Sequence, residues 1–176
     1  MLNYSIELAD ISDLDEISYL YDELNEYLEN TENYARWVKD IYPIRDTALN
    51  GINSKSLYIL KTEGKIAGSV ILNEIQPAQY SNLSWNINAT GKEVLVIHTL
   101  CVHPNFYGKG IASILINFSE DFAKKINAKT IRFDTHTGNF PATKLYLKKG
   151  YTLVGETSLN LAHVAEDSFK CFEKII

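Results

Sequence analysis

The sequence predicts an α/β protein of the α+β kind, in which a central mixed, mostly antiparallel sheet of about six to seven strands is flanked by about four helices. A single domain over residues 1–176 is expected. Three observations carry this reading. The hydrophobic pattern switches several times between helical three-and-four spacing and short β-rich runs. A chain of 176 residues that is 45% hydrophobic can bury a core of its own. No repeat, low-complexity segment or linker divides it.

Residues 4–8 alternate as a short strand. Ser12 stands as a helix N-cap with Asp15 three residues on, and Leu14, Ile17, Tyr21, Leu24 and Leu28 then form the apolar stripe of an amphipathic helix. After an interruption at 30–33, Tyr34, Trp37, Val38 and Ile41 repeat the helical spacing. Tyr42-Pro43 breaks it before a further run through Leu49 that ends near Gly51. Residues 56–60 and 66–75 read as a β-hairpin around the turn-forming Thr62-Glu63-Gly64-Lys65. Residues 76–92 are a long polar link, and Val94–Val102 is an almost continuous apolar strand, the kind covered on both faces. Residues 110–126 return to helix through Ile111, Ile114, Leu115, Phe118 and Phe122. A short strand at 131–134, a helix at 139–149 ended by the left-handed position of Gly150, and strands at 151–154 and Phe169–Ile175 complete the chain.

A net charge of -5 and a pI near 5.4 argue against a broad nucleic-acid footprint, so any anion site is local. Residues 1–10 lack the basic start and apolar run of a signal peptide. No stretch approaches the roughly 18 apolar residues of a membrane helix. A cytoplasmic protein is expected, with no nucleic-acid or membrane partner. Cys101 and Cys171 each lie in an apolar segment, which fits reduced core residues rather than a disulfide or a metal cluster, and no metal is expected.

The chemistry concentrates where the apolar strand meets the next helix, at Val102-His103-Pro104-Asn105-Phe106-Tyr107-Gly108-Lys109-Gly110-Ile111-Ala112. Glycines permit positive φ and close ligand approach, and the free N–H groups of a helix's first turn favour phosphate oxygens. Lys109 adds a point charge or is simply solvated. The spacing fits neither a P-loop, which needs Gly-x-x-x-x-Gly-Lys-Ser/Thr, nor a Rossmann fingerprint, which needs three spaced glycines near the first strand.

This turn resembles the Arg/Gln-x-x-Gly-x-Gly/Ala motif of the GCN5-related N-acetyltransferase (GNAT) superfamily, and Leu100-Cys101-Val102-His103-Pro104 resembles the Leu-x-Val-x-Pro that leads into it. Downstream, Asn139-Phe140-Pro141-Ala142-Thr143-Lys144-Leu145-Tyr146-Leu147-Lys148-Lys149-Gly150-Tyr151 resembles the superfamily's second signature. The resemblance implies an acyl-CoA-dependent N-acetyltransferase with acetyl-CoA as cosubstrate. It implies that the backbone of Leu100, Cys101 and Val102 pairs with the pantetheine arm, and that the N–H groups of Tyr107, Gly108, Lys109, Gly110, Ile111, Ala112 and Ser113 cradle the pyrophosphate. Asn139 would contact the CoA arm, with simple N-capping as the alternative. Tyr107 departs from the usual Arg or Gln, which removes that side chain's contribution.

By the same resemblance Tyr146 protonates the CoA thiolate; from spacing alone it is a core tyrosine. The strand position that often carries a catalytic Glu is Val96 here. His98 lies two residues on, on the same face by period-2 alternation, and is either the base or a hydrogen-bonded core histidine. His103 is the weaker candidate. A main-chain N–H of this strand is the expected oxyanion donor. The acceptor pocket would draw on the first helices and the loop after the hairpin, where Tyr34, Trp37, Tyr42, Glu74, Tyr80 and Trp85 suit a cationic amine or serve ordinary packing. The expected partners are a small-molecule primary amine and a second copy of the chain. The alternatives are a protein or peptide amine as acceptor, an acyl-CoA-binding module without turnover, and a nucleotide-binding protein.

Overall fold

Seven strands and four α-helices form among the described residues, 3–164 and 166–176 of a computed structural model. In chain order they are β1 (Ser5–Leu8), α1 (Leu14–Glu29), α2 (Arg45–Asn53), β2 (Leu57–Thr62), β3 (Lys65–Asn73), β4 (Val94–Val102), α3 (Ile111–Lys125), β5 (Thr130–His136), α4 (Phe140–Lys148), β6 (Thr152–Thr157) and β7 (Phe169–Ile175). The strands hydrogen-bond in the order β1-β2-β3-β4-β5-β7-β6. The β4–β5 pair is parallel, whereas β1–β2, β2–β3, β5–β7 and β6–β7 are antiparallel, which gives the mixed sheet the sequence predicts. Two compact units divide the chain, and β4 gives residues 98–102 to the first and 94–97 to the second.

In the first unit the hairpin turns on Glu63 and Gly64, both at positive φ (54° and 72°), the twist-matched two-residue turn. Helix α1 buries Leu14, Ile17, Leu20, Tyr21 and Leu24, and α2 buries Ala48 and Ile52, in one core with Leu57, Ile59, Ile66, Ile71 and Cys101. Two local expectations fail here. Asp10, not Ser12, is the cap: its carboxylate accepts from the Ser12 N–H at 2.7 Å, while Asp13 reaches back to the Asp10 N–H at 3.0 Å. Ser12 therefore lies inside a 3-10 turn that precedes α1. Residues 34–41, of which 34–36 fall in the second unit, form no helix. Arg36 and Asp40 take positive φ (58° and 62°), which a helix cannot hold, Val38 bridges to Tyr42, and Trp37 packs edge-on against the Tyr42 ring at 5.7 Å.

In the second unit the parallel register runs only from Val94↔Thr130 to Val96↔Arg132, while β5 pairs with β7 along its whole length, Thr130↔Ile175 to His136↔Phe169. The rings of Phe133, Tyr146, Tyr151 and Phe172 pack together at centroid separations of 4.4–6.3 Å. The polar link proves to be an ordered segment, because buried Arg132 organises it. Its guanidinium pairs with buried Glu173 at 2.9 Å and donates to Gln76 Oε1 (2.9 Å) and the Ile87 carbonyl (2.8 Å), with the Trp85 ring stacked 4.4 Å away. Glu173 in turn accepts from the Asn86 N–H at 2.6 Å. Cys101 and Cys171 are both free and buried.

Candidate active site

The glycine turn has the geometry its sequence implies. Gly108 and Gly110 take φ of 76° and 82°, and a Cβ built on either would meet nothing within 4 Å, so this stretch of backbone is open to a ligand. Its amides are not all available. The Tyr107 N–H donates to Pro104 O at 3.1 Å and the Lys109 N–H to Phe106 O at 3.3 Å, whereas α3's own bonding begins with Ile114 N–H to Gly110 O. The N–H groups of Gly108, Gly110, Ile111, Ala112 and Ser113 therefore have no main-chain acceptor among the described residues. That set, at a helix N-terminus, fits an anionic group of the pyrophosphate kind. Lys109 lies over the Phe106 ring at 4.6 Å and 3.7 Å from Glu63, so its charge is partly engaged away from the turn.

Strand β4 leads into this turn with Leu100 and Val102 half-buried and Cys101 buried. Burial drives the Cys101 thiol far above its usual range, which leaves it an inert core group. Thr99 holds a left-handed φ of 47° in mid-strand, an outlier for a β-branched residue, and its hydroxyl bonds to that of Tyr42. His98 is half-buried beside it, and Val96 is fully buried. His103 has a role the sequence reading passed over. Its Nδ1 accepts from the Asn105 N–H at 3.2 Å and so caps the short turn at Pro104–Phe106 that feeds the glycines. Burial lowers its pKa, which favours the neutral ring that this acceptor role needs. A His-Pro-Asn sequence is the signal that could have shown it.

In the second unit Tyr146 lies on α4, directly after whose N-cap, Asn139, the helix begins. Asn139 caps the helix, its side chain accepting from the Ala142 N–H (3.3 Å) while its amide donates to Thr135 Oγ1 (2.9 Å). Tyr146 is half-buried, with its ring on Phe133 at 4.4 Å. Burial, and then the Asp134 charge, hold its phenol well above the ordinary tyrosine range, so it stays protonated. Sequence reasoning missed Asp134, whose Oδ2 accepts from the Tyr80 hydroxyl at 2.7 Å across 54 residues of chain. Tyr80, named above for the acceptor pocket, is 2% exposed and spent on this bond. No cluster of His, Cys, Asp and Glu able to hold a metal occurs among the described residues, and no described helix is long and apolar enough to cross a membrane.

A sequence model of the acetyltransferase (GNAT) family matches residues 14–151. The chain is 36% identical over 88 residues to a streptothricin acetyltransferase of Escherichia coli, a match that covers 50% of this chain and 47% of that protein. It thus spans about half the length of that relative. Among solved structures, a GNAT-family acetyltransferase from Streptococcus agalactiae superposes with a TM-score of 0.80 at 20% identity, over 100% of this chain and 99% of that one. The structure of yncA from Salmonella typhimurium with its cofactor acetyl-CoA superposes with a TM-score of 0.69 at 16% identity, over 98% of this chain and 93% of that one.

Proposed function

Because the chain belongs to the acetyltransferase (GNAT) family, we propose that it transfers an acetyl group from acetyl-CoA to a primary amine of a small molecule, by direct attack in a ternary complex. The observation that carries this reading is the row of amides at Gly108 and 110–113 that have no main-chain acceptor among the described residues, presented by two positive-φ glycines beyond the end of β4. Bound acetyl-CoA supplies an activated acyl group and a thiolate leaving group. The backbone of Leu100, Cys101 and Val102 pairs with the extended arm as an added strand, Asn139 contacts the same arm, and the free amides hold the pyrophosphate. Tyr146 donates the proton that the thiolate needs, and His98 takes the proton of the attacking amine, directly or through water. The streptothricin acetyltransferase relative supports the small-molecule acceptor. Val96, fully buried where the family often carries a catalytic Glu, favours a second reading, acyl-CoA binding without turnover.

A thermal-shift titration with acetyl-CoA, CoA, NAD and ATP tests the cofactor, because a ligand that binds only the native state raises Tm by mass action. Selective stabilisation by the CoA species is expected; a response to NAD or ATP alone would sink the assignment. An amine panel assayed for thiol release then separates the two readings, since the second gives no turnover with any amine. Gly110→Val tests the turn. Valine at φ 82° carries backbone strain of about 1–3 kcal/mol and forces the amides out of line. Loss of acetyl-CoA binding is expected in a calorimetric titration, and a wild-type Kd would remove the turn from the pyrophosphate site.

A further inference from the structure

We propose that Tyr42 is a positioning residue: its hydroxyl clamps Thr99 in the left-handed conformation that aims the cofactor-facing end of β4. The inference rests on the acetyl-transfer reading, in which the backbone of Leu100, Cys101 and Val102 pairs with the acetyl-CoA arm. Among the described non-glycine residues at positive φ, Thr99 alone lies within a strand and alone is β-branched. That region disfavours such a side chain, so surrounding contacts must hold it there. The contact in place is the hydrogen bond between the hydroxyls of Tyr42 and Thr99, made across 57 residues of chain. Thr99 is only 7% exposed, so breaking this bond strands a buried hydroxyl.

Tyr42 is braced to act as the clamp. Its N–H donates to the Val38 carbonyl at 2.9 Å, and its ring meets Trp37 edge-on. On its other side the buried Asn25 amide of α1 donates to the Pro43 carbonyl at 3.0 Å, and the Ile44 N–H donates to Thr47 Oγ1 in the first turn of α2 at 3.1 Å. The phenol is thereby held in place. Returning Thr99 to extended φ would swing its Cα–Cβ bond and carry Oγ1 away from that phenol, so the bond favours the left-handed form. One such residue in a strand re-aims what adjoins it, as bulges do beside active sites. Here it sets the His98 side chain on one side and the Leu100 N–H and C=O on the other. Tyr42, named above for the acceptor pocket, thus spends its hydroxyl on the chain's own strand.

The test is a calorimetric titration of the full chain with acetyl-CoA, with Tm recorded for each variant. Tyr42→Phe keeps the ring and removes the hydroxyl. It is expected to weaken acetyl-CoA binding about tenfold, because affinity falls with the fraction of molecules that keep the kink, and strain of this kind shifts that fraction by about as much. Thr99→Val removes the other hydroxyl and should cost the same, with Tyr42→Phe adding nothing on top of it. Thr99→Gly supplies the rescue. Glycine takes positive φ without a clamp, so in that background Tyr42→Phe should leave Kd within about twofold of wild type. An unchanged Kd in Tyr42→Phe, whatever its Tm, or a loss of binding that persists with Thr99→Gly, would overturn the inference and leave Tyr42 a packing residue. If the wild type itself binds no acetyl-CoA, it is the acetyl-transfer reading that fails, and the inference with it.

Discussion

Arg132→Ala is expected to cost about 3–5 kcal/mol of stability, because it strands the Glu173 carboxylate without its cation in a site where neither side chain is more than 4% exposed. In a chain of this size that corresponds to a fall in Tm of roughly 6–20 °C by calorimetry. The loss would extend beyond one ion pair. Gln76, Ile87 and Trp85 lose the guanidinium that holds the segment 76–93, and the Asn86 amide keeps only an uncompensated carboxylate as partner. Replacing both partners, as Arg132→Met with Glu173→Leu, should cost clearly less than Arg132→Ala alone, since no buried charge is left over. If the single substitution shifts Tm by less than about 2 °C, the pair does not organise this segment.

The same network shows why the segment was illegible in the sequence. Arg132 and Glu173 stand 41 residues apart, each inside an apolar strand pattern, and nothing local marks them as partners. The polar residues between 76 and 92 looked like a solvated link because hydrogen bonds to a distant guanidinium leave no periodicity. Strand β4 and the turn after it were legible for the opposite reason. A continuous apolar run and two glycines two residues apart are local statements, and local chemistry decides both. The failed helix at 34–41 marks the limit of periodicity. Tyr34, Trp37, Val38 and Ile41 have helical spacing, yet Trp37 packs on the Tyr42 ring and Arg36 and Asp40 take positive φ, so tertiary contacts and backbone conformation overrode the pattern. The Asp10 cap was missed because a 3-10 turn lengthens the approach to α1, and the nearer Ser12 satisfied the simpler rule.

For the candidate site, the residues tied to short motifs could be named in advance, while their hydrogen-bond states could not. Tyr107 and Lys109 spend their amides inside the turn, which narrows seven candidate donors to Gly108, Gly110, Ile111, Ala112 and Ser113. His103 emerges as the acceptor that fixes the turn's entry, a role visible only once its Nδ1 is placed 3.2 Å from the Asn105 amide.

Tyr146→Phe should lower kcat at least about tenfold, and as much as 10²-fold if proton donation limits the reaction, the range a general acid contributes. Binding of acetyl-CoA should stay near wild type. Phenylalanine keeps every ring contact that Tyr146 makes, with Phe133 at 4.4 Å, Phe172 at 5.6 Å and Tyr151 at 6.3 Å. A tyrosine serving only as packing would therefore leave kcat, KM and Tm together at wild-type values, whereas an acid loses kcat alone. The direction of its titration sharpens the test. Burial and the Asp134 charge raise the folded-state pKa above the ordinary tyrosine value, so the phenol remains protonated throughout the working range and its ionisation adds no alkaline fall to kcat below about pH 10. A fall in kcat at pH 8–9 that vanishes in Tyr146→Phe would mean that the phenol ionises far earlier than its surroundings dictate. An unchanged kcat in the variant would return Tyr146 to the core.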